Sequence, residues 1–205
     1  MNDVPIRPTR RTTTAVPALV MLACAAAACT STDATEPPPE EPSGGAEASA
    51  IAQLPNRPDE LPVDELDPCL LFTEDALRSL SITRKPQPGT ADGLRNCALH
   101  QDKDPMYDLL VTAYPDAGVE SWISGRMARP GAAQARPAEI SGFPAVQITT
   151  EGRSAGECEV AVGVADGQSL HVRFSAFQPD AEQPKACEIA EQAAATALAA
   201  LREKG

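Results

Sequence analysis

The chain has 205 residues, a formal net charge of −12 and only 3% aromatic residues. This negative balance argues against binding to nucleic acid and against direct adhesion to anionic lipid headgroups. With one Trp, two Tyr and four Phe, the chain must fill its core largely with small aliphatic side chains.

The first predicted element is an export signal. An apolar segment of about 13 residues follows three arginines, and it is too short for a membrane-spanning helix of roughly 20 residues. The segment ends at Cys29, with three alanines before this cysteine and polar residues after it. We therefore expect residues 1–28 to be a lipoprotein signal peptide and the Cys29 thiol to carry a lipid such as palmitate.

Two alternatives to this anchor remain open. Lipidation at Cys24 would leave a shorter apolar core, and ordinary secretory cleavage would release a protein with an odd thiol. The pair Arg10 and Arg11 raises twin-arginine export, although threonines follow where that signal prefers bulky apolar residues. In the preferred interpretation the protein is extracytoplasmic and lipid-anchored at the outer face of the cytoplasmic membrane.

Residues 29–66 form the next predicted segment. Behind the lipidated cysteine they are rich in Pro and acidic residues and contain almost no large apolar side chains. Such a segment cannot bury enough surface to offset the entropy of ordering. We expect a disordered stalk up to residue 66, followed by one globular domain over residues 67–205.

Two or three helices are predicted in this domain. Thr73 is suited to cap a short helix, and apolar spacing predicts a second helix from Asp116 to just before Pro130. An alanine-rich helix spans about residues 184–202. The apolar face of the second helix comprises Val119, Trp122, Ile123 and Met127, and the buried stripe of the last comprises Cys187, Ala190, Ala194, Leu198 and Leu201.

An antiparallel sheet of about five strands completes the predicted α+β fold. Alternating apolar residues predict strands at 94–101, 107–114 and 145–150, and a hairpin at 158–177. The Pro- and Gly-rich residues 85–93 are interpreted as a loop.

The register of the last hairpin follows from the parity of its side chains. A three-residue loop from Ala165 to Gly167 keeps the apolar faces of both strands together, with Gly167 at positive φ. The predicted pairs are Val160 with Val172, Val162 with Leu170 and Val164 with Gln168.

Four cysteines remain in the domain, and they indicate two disulfides. None forms a C-x-x-C motif or lies near a histidine at metal-ligand spacing, so a zinc site is not indicated. The hairpin brings Cys158 to its open end, where the chain returns to Cys187 on the last helix. Cys69 is then left to pair with Cys97.

Several short motifs resemble one known family. They are the D-P-C sequence that ends at Cys69 before LLFTEDAL, the strand cysteine Cys97, the phrase GFPAVQ, CEVAVGV with Cys158, and the C-x-x-A that begins at Cys187. Together with the signal and stalk, they resemble the actinobacterial exported lipoprotein family known as domain of unknown function 3558. The resemblance covers most of residues 67–202, although Leu99 stands where that family often has an aromatic residue. It implies a cell-surface lipoprotein and confers no activity.

Enzymatic patterns are weak. Residues 152–156 spell G-x-S-x-G around Ser154, which in serine hydrolases needs a strand before the serine and a helix directly after it. Here a strand follows, so Ser154 is placed on a hairpin loop and a serine hydrolase is a remote alternative. The only histidines, His100 and His171, are predicted to face solvent from strands. No catalytic residue, metal site or cofactor is predicted.

Three arginines form the one local basic cluster. Arg126, Arg129 and Arg136 lie in a Gly- and Pro-rich stretch. The stretch is interpreted as a solvated loop, with an anion-contact patch as the alternative.

The preferred function is a non-enzymatic interaction or sensor module of the envelope, monomeric, with an envelope protein as its possible partner. A small-molecule or lipid carrier is the alternative, and it requires an apolar cavity between sheet and helix.

Overall fold

The structure is a computed structural model, and it describes residues 44–129, 131–150, 156–177 and 183–204. The helices are α1 (Gly44–Ile51), α2 (Glu74–Ser79) and α3 (Gln183–Arg202), with two 3-10 turns, Pro68–Leu71 and Val119–Trp122. The strands are β1 (Gln87–Ala91), β2 (Leu94–Gln101), β3 (Tyr107–Tyr114), β4 (Ala133–Ile140), β5 (Phe143–Thr150), β6 (Glu157–Ala165) and β7 (Gln168–Ala176).

All seven strands belong to one antiparallel sheet with the order β1-β2-β3-β7-β6-β5-β4. The α+β class is therefore confirmed, but the sheet has seven strands where we expected about five. The two additional strands are β1 and β4, which form the edges of the sheet. The prediction of a loop at residues 85–93 is therefore wrong, because β1 (Gln87–Ala91) lies within it.

Two tight turns explain how these edge strands form. Asp92 and Gly93 join β1 to β2 with φ angles of 52° and 80°, and Ser141 and Gly142 join β4 to β5 with 52° and 84°. Two consecutive residues at positive φ match the twist of a hairpin, as in a type I′ turn. The Asp92-Gly93 pair is a sequence signal for this turn that our interpretation missed.

The larger core lies between one face of the sheet and α3. The small side chains of Ala190 and Ala194 are fully buried there and let the helix approach the strands closely, and Leu198 on the same helix is also fully buried. This first face also holds both disulfides. They join Cys69 to Cys97 and Cys158 to Cys187, which is the predicted pairing. The predicted stripe of α3 and the capping of α2 by Thr73 are likewise confirmed.

A smaller core covers part of the second face of the sheet. Its buried members are Val119, Trp122, Ile123, Val146, Ile148 and Ala161. The helix α1 packs over this cluster through Ala50 and Ile51, together with Leu54 just beyond the helix. Both faces of the sheet are thus partly covered.

The predicted helix between Asp116 and Pro130 is wrong. Only the 3-10 turn Val119–Trp122 forms there, although its apolar residues still reach the second-face core as one group. A Cβ on Gly125 would lie 2.6 Å from the Cα of Ser121, so the chain turns back tightly at this glycine. Gly118 precedes the turn, and glycine costs about 1 kcal/mol in a helix interior.

The predicted stalk extends too far along the chain. Leu61 and Val63 are buried in the larger core, with 6% and 1% of their surface exposed. The Leu61 N–H donates to the carbonyl of Val164, and the Val63 N–H donates to Gln168 Oε1. These long-range bonds order a segment that its composition alone does not favour, so the domain begins before Asp67. Residues 29–43 of the predicted stalk lie outside the described part of the chain.

The hairpin of β6 and β7 has the predicted register over most of its length. Val160 pairs with Val172, Val162 pairs with Leu170, and Gly167 has a φ of 65°. The predicted three-residue loop and its pair of Val164 with Gln168 are wrong. Ala165 pairs with Gln168, which leaves a two-residue loop, and the irregularity lies inside β6 between Gly163 and Ala165. Among the described helices, none is long and apolar enough to cross a membrane.

Candidate functional site

The second face of the sheet carries a buried carboxylate, that of Glu159. Because Cys158 and Val160 point into the larger core, alternation along β6 directs Glu159 to the opposite face. Its Oε2 lies 3.0 Å from Nε2 of His171 on the neighbouring strand. The same oxygen lies 2.8 Å from Nη2 of Arg129, which enters from the loop after the second 3-10 turn.

These contacts control the ionisation of Glu159. Burial opposes its charged form, but the hydrogen bond and charge of His171 and the guanidinium of Arg129 outweigh this effect and lower the pKa of Glu159 to about 2. The side chain is therefore a carboxylate at neutral pH. An ionised carboxylate only accepts hydrogen bonds, so Nε2 of His171 carries the shared proton.

Aromatic rings enclose this ion pair. The ring of Trp122 stacks on the imidazole of His171 with centroids 4.5 Å apart, and the ring of Tyr114 meets both edge-on. Trp122 Nε1 donates to Ser169 Oγ, and Ser169 donates in turn to the carbonyl of Ala117. The indole N–H and the Ser169 hydroxyl are therefore both hydrogen-bonded, whereas the buried Nη2 of Arg129 contacts Glu159 as an ion pair without an aligned hydrogen bond. Burial, with a smaller effect of Glu159, raises the pKa of Tyr114.

A cavity of about 220 Å³ borders the cluster. Trp122 and Arg129 belong both to the cluster and to the wall of this cavity. The remaining wall is mostly apolar, and α1 covers one side of it. These other lining residues are Ala46, Glu47, Ala50, Ile123, Met127, Ala133, Ala135 and Ile148.

The three arginines of the predicted basic loop contact different partners. Arg126 forms an ion pair with Asp116, and Arg129 pairs with Glu159. Arg136 lies in β4, where its Nη2 donates to Gln134 Oε1. The stretch is therefore not one solvated loop, and Arg129 alone of the three reaches the buried cluster.

The predicted exposure of the histidines is wrong. His171 is buried because the 3-10 turn Val119–Trp122 covers its side of the sheet. His100 is half-buried, and its Nδ1 lies 2.6 Å from Oδ1 of Asp108 on the adjacent strand. The hairpin register does place Glu159 and His171 on one face as diagonal neighbours, and this signal could have identified the pair.

Some candidate residues from the sequence analysis lie outside the described part of the chain. Cys29 and Ser154 are outside the described residues, and so is the alternative lipidation site Cys24. In the described part of the chain, no group of three or more His, Cys, Asp or Glu side chains could hold a metal ion.

Residues 24–200 match the family model described as Protein of unknown function (DUF3558). The searches of curated proteins and of solved structures found no match.

Proposed function

The chain belongs to the family described as Protein of unknown function (DUF3558), and on that premise we propose that it is a non-enzymatic sensor or interaction module of an actinobacterial envelope. In this proposal, lipid on Cys29 holds the protein at the outer face of the cytoplasmic membrane. The domain recognises a ligand at its second face and communicates with another envelope protein.

The observation that carries this proposal is the cavity beside the buried ion pair. Its volume is about 220 Å³, and its wall combines apolar side chains with the charged group of Arg129. Concave sites that are mostly apolar with few polar groups are typical of ligand recognition. The cluster behind the wall holds Trp122 and Arg129 in fixed positions, which is what a recognition site requires.

The chemistry of the cluster favours recognition over catalysis. A general acid or base needs a pKa near the working pH, whereas the pKa of Glu159 is lowered to about 2. The hydroxyl of Ser169 is fully buried and already donates to a backbone carbonyl. These groups therefore serve to position the cavity wall.

The carrier alternative is supported by the same cavity, but its size favours the sensor. Pockets that enclose drug-sized ligands measure roughly 300–1,000 Å³. A space of about 220 Å³ suits a small molecule or one side chain better than a lipid.

Two experiments on the full chain in an actinobacterial host test the proposal. In cell fractionation, Cys29→Ala should move the protein from the membrane to the medium, whereas Cys24→Ala should change little. A photo-reactive residue placed at Met127, on the cavity wall, should cross-link to the bound ligand or partner protein and give one discrete adduct. The same residue placed at exposed Leu70 should not give this adduct. Membrane retention of Cys29→Ala would contradict the anchor.

Native mass spectrometry separates the two functions. A carrier released from host membranes should retain a cargo of fixed mass in about one copy per chain. A sensor should be released empty and still give the adduct at Met127. A retained lipid would support the carrier function and contradict the sensor function.

A further inference from the structure

The cavity under α1 has an asymmetric wall. Of the described residues that line it, Arg129 is the only basic one and Glu47 the only acidic one. The others are alanines or the larger apolar residues Trp122, Ile123, Met127 and Ile148. A ligand must therefore have an apolar body, and its one polar end must suit a guanidinium.

We propose that this cavity binds a small monocarboxylate with a compact apolar body, whose carboxylate pairs with Arg129. The proposal rests on the recognition function above and names the chemical class of its ligand. The apolar body lies against Trp122 and Ile148.

The geometry of Arg129 suits a second carboxylate. Its ion pair with Glu159 uses Nη2, while a guanidinium carries five N–H donors in a planar fork. Both bidentate edges of a guanidinium include Nη2, which is buried here, so a ligand carboxylate would accept a charge-assisted hydrogen bond from Nε or Nη1. The side chain of Arg129 is 37% exposed, whereas that of Glu159 is 11% exposed. Nη2 thus meets Glu159, while the partly exposed side chain of Arg129 forms part of the cavity wall.

Nearby charges limit the ligand to a single negative charge. Glu159 is ionised behind Arg129, and the carboxylate residue Glu47 also lines the cavity. A dianion such as a phosphate monoester would bring two negative charges close to both carboxylates, with only one guanidinium to offset them. The electrostatic repulsion is therefore larger for a dianion than for a monoanion.

The volume of the cavity limits the ligand to a small molecule. An engineered apolar cavity of about 150 Å³ admits benzene, so a space of this order holds a body of several carbon atoms. The cavity here measures about 220 Å³, which leaves room for a branched aliphatic chain or one ring together with the carboxylate.

The chain supplies its own reporter for this binding. Trp122 is the only tryptophan in the sequence, and its ring forms part of the cavity wall. Its fluorescence therefore reports occupancy of this cavity without a label.

The test titrates the full-length protein in mild detergent with three probes of similar shape: 4-methylpentanoate, 4-methylpentan-1-ol and 3-methylbutylamine. We expect the carboxylate to change Trp122 emission with saturation and to bind about 10-fold more tightly than the alcohol, since the bond to Arg129 is charge-assisted. The amine should bind least. Inorganic phosphate is the control for a general anion site.

Variants separate the charge from the cavity. Arg129→Gln should remove the difference between carboxylate and alcohol, and Arg136→Gln, an arginine outside the cavity, should leave it unchanged. Ala135→Leu keeps Arg129 and its ion pair but fills the cavity, so it should abolish binding of both probes. Far-UV circular dichroism checks that each variant is folded.

The proposal fails if carboxylate and alcohol bind equally, if phosphate competes as well as the carboxylate, or if Ala135→Leu binds like the wild type. Failure of all three probes, together with a protein adduct at Met127, would overturn the ligand class while leaving the interaction module supported. A retained lipid cargo would instead contradict the sensor function.

Discussion

The indole of Trp122 lies nearly parallel to the imidazole of His171, with 14° between the ring planes. This stack joins a 3-10 turn to the central strand β7 of the sheet. Because His171 also donates to Glu159, the position of the turn depends on an ion pair inside the sheet. The wall of the cavity is thereby coupled to the charge state of one carboxylate.

The first prediction concerns the pH dependence of stability. The pKa of Glu159 falls from 4.5 to about 2 on folding. Its ionisation therefore stabilises the fold fully above the unfolded value, and the contribution is lost as the pH falls through the folded value. The contribution at pH 6 is about 3 kcal/mol. Urea unfolding should show Glu159→Gln well below wild type at pH 6, with the gap closing towards pH 2.

The control for this prediction is Glu203→Gln, which changes an exposed glutamate at the end of the chain. It should follow the wild-type pH profile. A constant gap between wild type and Glu159→Gln from pH 6 to pH 2 would contradict the coupling.

The second prediction concerns the two disulfides. Cys158 and Cys187 are both buried in the larger core, whereas Cys69 is only half-buried. A mild reductant should therefore cleave the Cys69 to Cys97 bond first, as seen by alkylation and peptide mapping. Each bond closes a loop of similar length, so replacing either pair by alanine should cost about 3.5 kcal/mol. Simultaneous cleavage of both bonds would contradict the protection by burial.

The third prediction tests the close approach of the second 3-10 turn to β6. A Cβ on Gly163 would lie 2.9 Å from Cγ1 of Val119 and 3.3 Å from Cγ of Pro144. Gly163→Ala should destabilise the protein by about 1–3 kcal/mol and shift Trp122 emission to the red, because the turn is pushed outward.

The matched control is Gly45→Ala in α1, where a Cβ would meet nothing within 4 Å. It should be neutral or stabilise by up to about 1 kcal/mol, since alanine favours a helix. Equal stability of the Gly163→Ala protein and the wild type would show that the turn can yield.

The fourth prediction concerns the start of the domain. Leu61 and Val63 are buried in the larger core. A chain that begins at residue 67 should therefore be less stable by about 3 kcal/mol or more than one that begins at residue 57. Thermal unfolding of the two chains measures this difference. Equal unfolding midpoints for the two chains would instead support a domain that begins at residue 67, as composition predicts.

Strong local patterns predicted their elements well. The strands Leu94–Gln101 and Tyr107–Tyr114 have the predicted bounds, and each has fully buried apolar residues two positions apart, Cys97 and Leu99 in one and Leu109 and Val111 in the other. The edge strands β1 and β4 were not predicted because each contains a proline, β1 has no apolar face, and the apolar face of β4 consists only of small residues, so long-range pairing decides their structure. Their turn residues were the only local signal.

The candidate site was harder to predict for a different reason. Alternation correctly separates Glu159 and His171 from the larger core, but it equates the other face with solvent. Burial of that face depends on the turn at Trp122 and on α1, which cover it through tertiary contacts. No pattern within β6 or β7 reports such a cover. Arg129 was singled out by its charge, while its partner Glu159 was not.

The two edge strands have a consequence for self-association. An open sheet presents unpaired backbone groups at its edges, where a second chain can add a strand and begin aggregation. Here β1 contains Pro88 and β4 contains Pro137, and neither residue can donate a backbone hydrogen bond. Both rims of the sheet thus resist continuation into a neighbouring chain. Copies of this chain at high local concentration should therefore remain separate molecules.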